Sequence, residues 1–204
     1  MGSKHSKGGV RTELQYIVPP KWSDLEQLHL RYQQEVHRRS RTDPQCQYFL
    51  SFNVFQAILT PVCAAASIDK AQLLATFDLL DRRQKRKLVA MDFFSGLALV
   101  VEAKKSAKFE FILSLLDNGG LKTVNKCELM MVLMASVRGL TMFKSVPEVR
   151  EELMRPLAKR LLGEGTEVLR QHVVDRAMAD TEIIFFMNDL GAVNTEIFYD
   201  SSAV

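Results

Sequence analysis

Apolar segments with helical spacing recur along this chain, each cut off by a short polar break, and that rhythm limits it to helices packed on helices. KAQLLATFDLL is followed by the break DRRQKRK and then by MDFFSGLALVVEA. SAKFEFILSLL is followed by DNGGLKTVNK and then by CELMMVLMASV. Ahead of them, RRSRTDPQ separates a stretch with Leu25, Leu28, Tyr32 and Val36 on one face from FLSFNVFQAIL. The alternation of a half-buried strand is nearly absent. The fold class is all-α.

Local signals set the expected boundaries. Residues 1–22 hold Gly2, Gly8, Gly9, Pro19 and Pro20 and read as a flexible arm. Ser23 and Glu26 have the spacing of a capping box, opening a helix that runs to about Arg38. Pro61 is expected to end the next helix just before it. Pro147 suits the first turn of PEVREELMRPLAKRLL, a helix over 147–162.

Composition narrows the function classes. A net charge of +3 is too weak to draw nucleic acid by itself. Cys46, Cys63 and Cys127 are odd in number and far apart, which reads as reduced thiols in an intracellular, cytoplasmic or cytoskeletal protein. The Cys and His residues show no zinc-ligand spacing. FFSGLALVVEA is about half the length of a membrane span. His5, His29, His37 and His172 are dispersed, DNGG lacks the context of a phosphate loop, and no catalytic residues are expected.

The breaks share a register. In a 12-residue loop counted from Asp81, Leu88 falls at position 8, Asp92 at 12, and Phe93 just after. Counted from Asp117, Val124 falls at 8, Asn125 at 9, Glu128 at 12 and Leu129 after. Counted from Asp43, Leu50 falls at 8 and Phe55 after. Phe55 and Phe93 are 38 residues apart, and Phe93 and Leu129 are 36 apart. A fourth loop is expected near the end, with Gly191 at 6, Val193 at 8 and Phe198 after. On these residues the chain resembles the EF-hand superfamily over about 24–200, and within it the neuronal calcium sensor, calcineurin-B-like and calaxin-like group.

The resemblance implies two lobes of paired helix–loop–helix units, 23–104 and 105–204, joined near Lys104–Ala107. Helix 147–162 is then an extra spacer inserted before the last unit. Calcium needs six to eight oxygen ligands, several of them anionic. Arg83, Lys85 and Lys87 stand at positions 3, 5 and 7 of the Asp81 loop, and Arg86 replaces the turn glycine. In the Asp43 loop, Val54 removes the carboxylate at position 12. Neither loop is expected to bind the ion. Asp117, Thr123, Asn125 and Glu128 form the one candidate calcium site, weakened by Gly119, Leu121 and Lys122 at ligand and turn positions. No cofactor is expected, and the loops read as scaffolding.

Three further features bear on partners. MGSKHS fits N-myristoylation at Gly2, with Lys4 and Lys7 as an added electrostatic anchor, or an unmodified arm. The basic loop Arg82, Arg83, Lys85, Arg86 and Lys87 reads as a solvated loop, a contact for an acidic protein surface, or, with Gly2 acylated, a contact for anionic lipid. Met130, Met131 and Met134, with Met142 beyond, form either an adaptable groove for a partner helix or a helix face covered by 147–162. The expected function is a non-catalytic, largely calcium-insensitive adaptor that binds an amphipathic helix or acidic surface of a larger protein. Two alternatives are a structural part of a flagellar or axonemal microtubule assembly, in the manner of calaxin-like proteins, and a myristoylated, membrane-associated calcium sensor.

Overall fold

The computed structural model describes residues 9–63, 68–116, 122–144 and 151–184. Helices α1 (Trp22–Arg39), α2 (Phe52–Cys63), α3 (Lys70–Leu80), α4 (Ala90–Val100), α5 (Lys105–Ser114), α6 (Lys126–Phe143), α7 (Glu151–Leu162) and α8 (Arg170–Ala179) dominate these residues, so the fold is all-α. Three-residue strands lie in the breaks: β1 (Phe49–Ser51), β2 (Lys87–Val89), β3 (Thr123–Asn125) and β4 (Glu167–Leu169).

The strands join the helices in pairs. β1 and β2 run antiparallel with Leu50 opposite Leu88, and both side chains are buried. The middle residue of a three-residue ribbon faces the core, so one leucine from each break nails the break onto the helices beneath. β3 and β4 form the second ribbon, with Val124 opposite Val168. Val193, at position 8 of the expected fourth loop, lies with Gly191 and Phe198 in residues 185–204, outside the described residues. The helix read as a spacer leads through a short turn into β4, so α7 is the entry helix of the segment that pairs with β3. The turn begins at Gly163, whose φ of +63° suits a residue without a β-carbon. Arg176 closes that end by donating to the carbonyls of Leu161 (2.9 Å) and Leu162 (2.5 Å).

The N-terminal segment is not all a free arm. Val10 bridges Lys144, and the Arg11 amide donates to the Phe143 carbonyl at 2.8 Å. A 3-10 helix, Thr12–Ile17, follows, and its Leu14 and Ile17 are fully buried. Three-residue spacing puts both side chains on one side of a 3-10 turn, a period that a search for α-helical spacing passes over. Burying the pair contributes roughly 3–6 kcal/mol before ordering costs.

Two helix ends also differ from expectation. α1 starts at Trp22, with Lys21 at the cap and no side-chain cap; Ser23 lies inside the first turn, and the Trp22 indole donates to Glu26 instead. α2 continues through Pro61 to Cys63. A proline this close to a helix end forfeits one backbone bond and stops little else. Real capping boxes open α3, between Asp69 and Gln72, and α6, between Asn125 and Glu128.

The two halves share one hydrophobic core rather than meeting only at their connection. Nearly every residue of α4 is buried, and α4 lies against α6 with Gly96 on Gly139. Glycines at the crossing let the two backbones touch, which larger side chains would prevent.

Candidate docking surface

The basic loop is built around a carboxylate. Asp81, at the end of α3, is buried, and its side chain accepts the backbone amides of Lys85 (3.2 Å) and Arg86 (2.5 Å). Gln84 and Arg86 take φ of +51° and +54°, which curls the chain around that carboxylate. The charge sits among N–H donors, so the curl is held by the chain's own groups.

The five cations of this loop have separate roles. Arg82 reaches across to α6 and donates to the Thr141 carbonyl at 2.5 Å. Arg11 donates to the neighbouring Met142 carbonyl, so two guanidiniums cap the negative end of α6. Lys87 places its ammonium 4.0 Å from the centre of the Phe49 ring. Arg86 is exposed and serves through its backbone. Arg83 and Lys85 are exposed, and neither side chain has a hydrogen bond or ion pair among the described residues.

Behind the loop lies an ion pair that joins the halves. Asp92, in the first turn of α4, is buried and accepts two hydrogen bonds from Arg138 of α6, at 2.8 and 3.0 Å. Burial pushes the Asp92 carboxyl above the usual carboxylate range, outweighing the Arg138 hydrogen bonds that pull it down. The pattern did offer a signal for Arg138. It is the first charge in the run LMMVLMASVR, seven residues after Met131 and so on the same face.

Two depressions meet at this pair. A cleft of about 620 Å³ is lined by Arg82, Arg83, Lys85, Lys87 and Arg138 around Leu80, Leu88 and Met142. A groove of about 310 Å³ is lined by His29, Tyr32, Tyr48, Phe94, Leu115, Leu116 and Met131. Phe49, Val89, Asp92 and Arg138 line both. Tyr48 and Met131 are 56% and 54% exposed, high for large apolar side chains at a groove rim. Of the four methionines singled out by sequence, Met131 lines the groove and Met142 the cleft, while Met130 and Met134 are partly buried against the core.

His29 is the less expected member. Its ring lies edge-on to Phe94 (5.0 Å) and Phe111 (5.2 Å) and alongside Tyr32. Burial among these rings lowers its pKa to about 4, so His29 is an uncharged part of the groove wall at neutral pH.

The candidate calcium residues are engaged elsewhere. Asn125 accepts the Glu128 amide at 3.0 Å, and Glu128 accepts the Asn125 amide at 2.9 Å. The Thr123 hydroxyl donates to Glu167 on the paired strand. Asp117 and Gly2 lie outside the described residues. Among the described residues no three His, Cys, Asp or Glu side chains gather as metal ligands, and no helix is long and apolar enough to cross a membrane.

Comparison with protein-family models and with curated proteins finds no match for this chain.

Proposed function

We infer that the chain is a non-catalytic, EF-hand-like adaptor that grips an amphipathic segment of a larger protein without calcium control. The observation that carries this reading is the continuity of the apolar groove with the basic cleft across Phe49 and the Asp92–Arg138 pair. A helix or turn that sets apolar residues against Tyr48, Phe94 and Met131 brings its acidic residues to Arg83 and Lys85. Burial supplies the affinity, and the cations set orientation and partner choice. The engagement of the loop oxygens supports calcium insensitivity: Asp81 holds its own loop, Asp92 holds Arg138, and Glu128 caps α6.

The test is extraction of cells expressing the tagged chain, with detergent and then with salt, followed by identification of what stays bound. The same partner is expected with calcium and with chelator. Its capture is expected to weaken with salt and to fall in both Arg83→Glu/Lys85→Glu and Met131→Lys. A chain that is partner-free at every step, or a partner indifferent to both variants, would sink the reading.

A further inference from the structure

We propose that the basic cleft is a binding site for a compact polyanion, a ligand carrying two or more phosphate groups. Such a site needs neither the apolar groove nor a partner protein, so it stands apart from the docking reading. Five cations, Arg82, Arg83, Lys85, Lys87 and Arg138, line this cleft of about 620 Å³, together with two carboxylates, Asp81 and Asp92. A concave wall dominated by one sign of charge concentrates its field in the space it encloses, more than the same charges do on an open surface.

The carboxylates do not neutralise that wall. Asp81 accepts the backbone amides of Lys85 and Arg86, inside the curl set by the positive φ of Gln84 and Arg86. Asp92 accepts two hydrogen bonds from Arg138, and its charge also attracts Arg83. One carboxylate therefore serves two guanidiniums. The Lys85 ammonium has no hydrogen bond or ion pair among the described residues.

Donors are left over as well. Arg138 uses its Nε–H and one terminal N–H on Asp92, and Arg82 uses a terminal N–H on the Thr141 carbonyl. Both forks keep further N–H groups. The Lys87 ammonium meets the Phe49 ring, a contact made through its charge rather than through an N–H acceptor.

Linked phosphates suit this set of donors. A guanidinium takes phosphate oxygens two at a time, and an ammonium adds a compact charge beside it. The cations stand on separate elements: Arg82, Arg83 and Lys85 follow α3, Lys87 belongs to β2, and Arg138 to α6. One small anion cannot touch walls carried by three elements, whereas two or three joined phosphates can. The volume lies within the roughly 300–1,000 Å³ of small-ligand pockets. Leu80, Leu88 and Met142 offer apolar surface to the carbon frame of an organic phosphate.

The experiment uses the full-length chain at low salt, with orthophosphate, tripolyphosphate and inositol trisphosphate as soluble probes. Calorimetry is expected to show one tripolyphosphate per chain, held at least tenfold more tightly than orthophosphate. Amide shifts on binding should concentrate at 82–89 and 138–142. Arg83→Gln/Lys85→Gln alters two exposed side chains and is expected to weaken tripolyphosphate about tenfold. Lys104→Gln/Lys105→Gln removes the same charge outside the cleft and is expected to change it less than twofold. Phosphatidylcholine vesicles with and without phosphatidylinositol bisphosphate separate the two sources of the ligand. Retention on the phosphorylated vesicles makes it a lipid headgroup, and binding of the soluble probes alone makes it a free phosphate; either result upholds the site. The absence of a saturable one-to-one site, or an equal loss in the two lysine and arginine variants, overturns it. Neither outcome bears on partner capture, which tests the docking reading separately.

Discussion

Gly96 and Gly139 lie backbone to backbone where α4 crosses α6, and a β-carbon on Gly96 would come within 2.6 Å of the Gly139 carbonyl carbon. A β-carbon on Gly139 would lie 2.9 Å from the Gly96 Cα. The obstructing atoms are main chain, so no rotamer change relieves the clash. Gly139→Ala is therefore expected to destabilise by about 3 kcal/mol, although alanine favours an isolated helix by about 1 kcal/mol. Urea denaturation measures it. An alanine that stabilised the chain would mean that the helices do not touch at this point.

The Asp92–Arg138 pair makes a second expectation, with a sign in pH. Removing Arg138 leaves a buried carboxylate without its hydrogen-bonded partner and with only the weaker attraction of Arg83, while the guanidinium it loses was 37% exposed. Arg138→Met is expected to cost about 2 kcal/mol at pH 7.5. Burial already raises the Asp92 pKa, and without Arg138 it rises further. A raised folded pKa favours the fold at low pH, and that stability is lost as pH rises through it. The defect should therefore shrink towards pH 4.5, and Asp92→Asn added to Arg138→Met should recover most of the loss at pH 7.5. Chemical denaturation of the single and double variants at the two pH values decides this.

The helical class was legible because period is a local property: Leu25, Leu28 and Tyr32 are buried on one face of α1, where the spacing put them. Leu50 and Leu88, which face each other across the ribbon, were both legible as position 8 of their loops, since loop register is counted along the chain. Val168 was missed because a loop that has it at position 8 starts at Leu161, not at an aspartate such as Asp43, Asp81 or Asp117. The docking surface was legible only in its charges. Which cations face an anion depends on tertiary contacts, such as Arg82 on Thr141 and Lys87 on Phe49, that no sequence window contains. The Asp92–Arg138 pair spans 46 residues and was invisible for the same reason.

Arg86 shows what the loop retained. Its φ of +54° is a conformation that costs a residue with a β-carbon about 1 kcal/mol, and its exposed side chain has no described partner to lose. Arg86→Gly is expected to raise stability by up to about 1 kcal/mol, offset in part by the freer unfolded chain. Thermal denaturation reads the change. A clear loss would show that the Arg86 side chain, not just its backbone, holds the loop.

His29 gives the groove a pH limit. Its folded pKa of about 4 lies below the ordinary value of 6.5, because the space among Phe94, Phe111 and Tyr32 disfavours the imidazolium. Between those values the unfolded chain binds the proton more readily than the folded one. The stability that neutral His29 provides is therefore complete above about pH 6.5 and is lost as pH falls towards 4, to a total of about 3 kcal/mol. Asp92, with its raised pKa, acts in the opposite sense over part of the acid range, so the measurement is the difference between the wild type and His29→Phe. That variant keeps the ring packing and removes the titration, and its stability should fall less steeply from pH 6.5 to 4.5. The imidazole C–H resonances of the folded wild type should titrate near pH 4. A midpoint near 6.5 would place His29 in solvent and remove it from the groove wall.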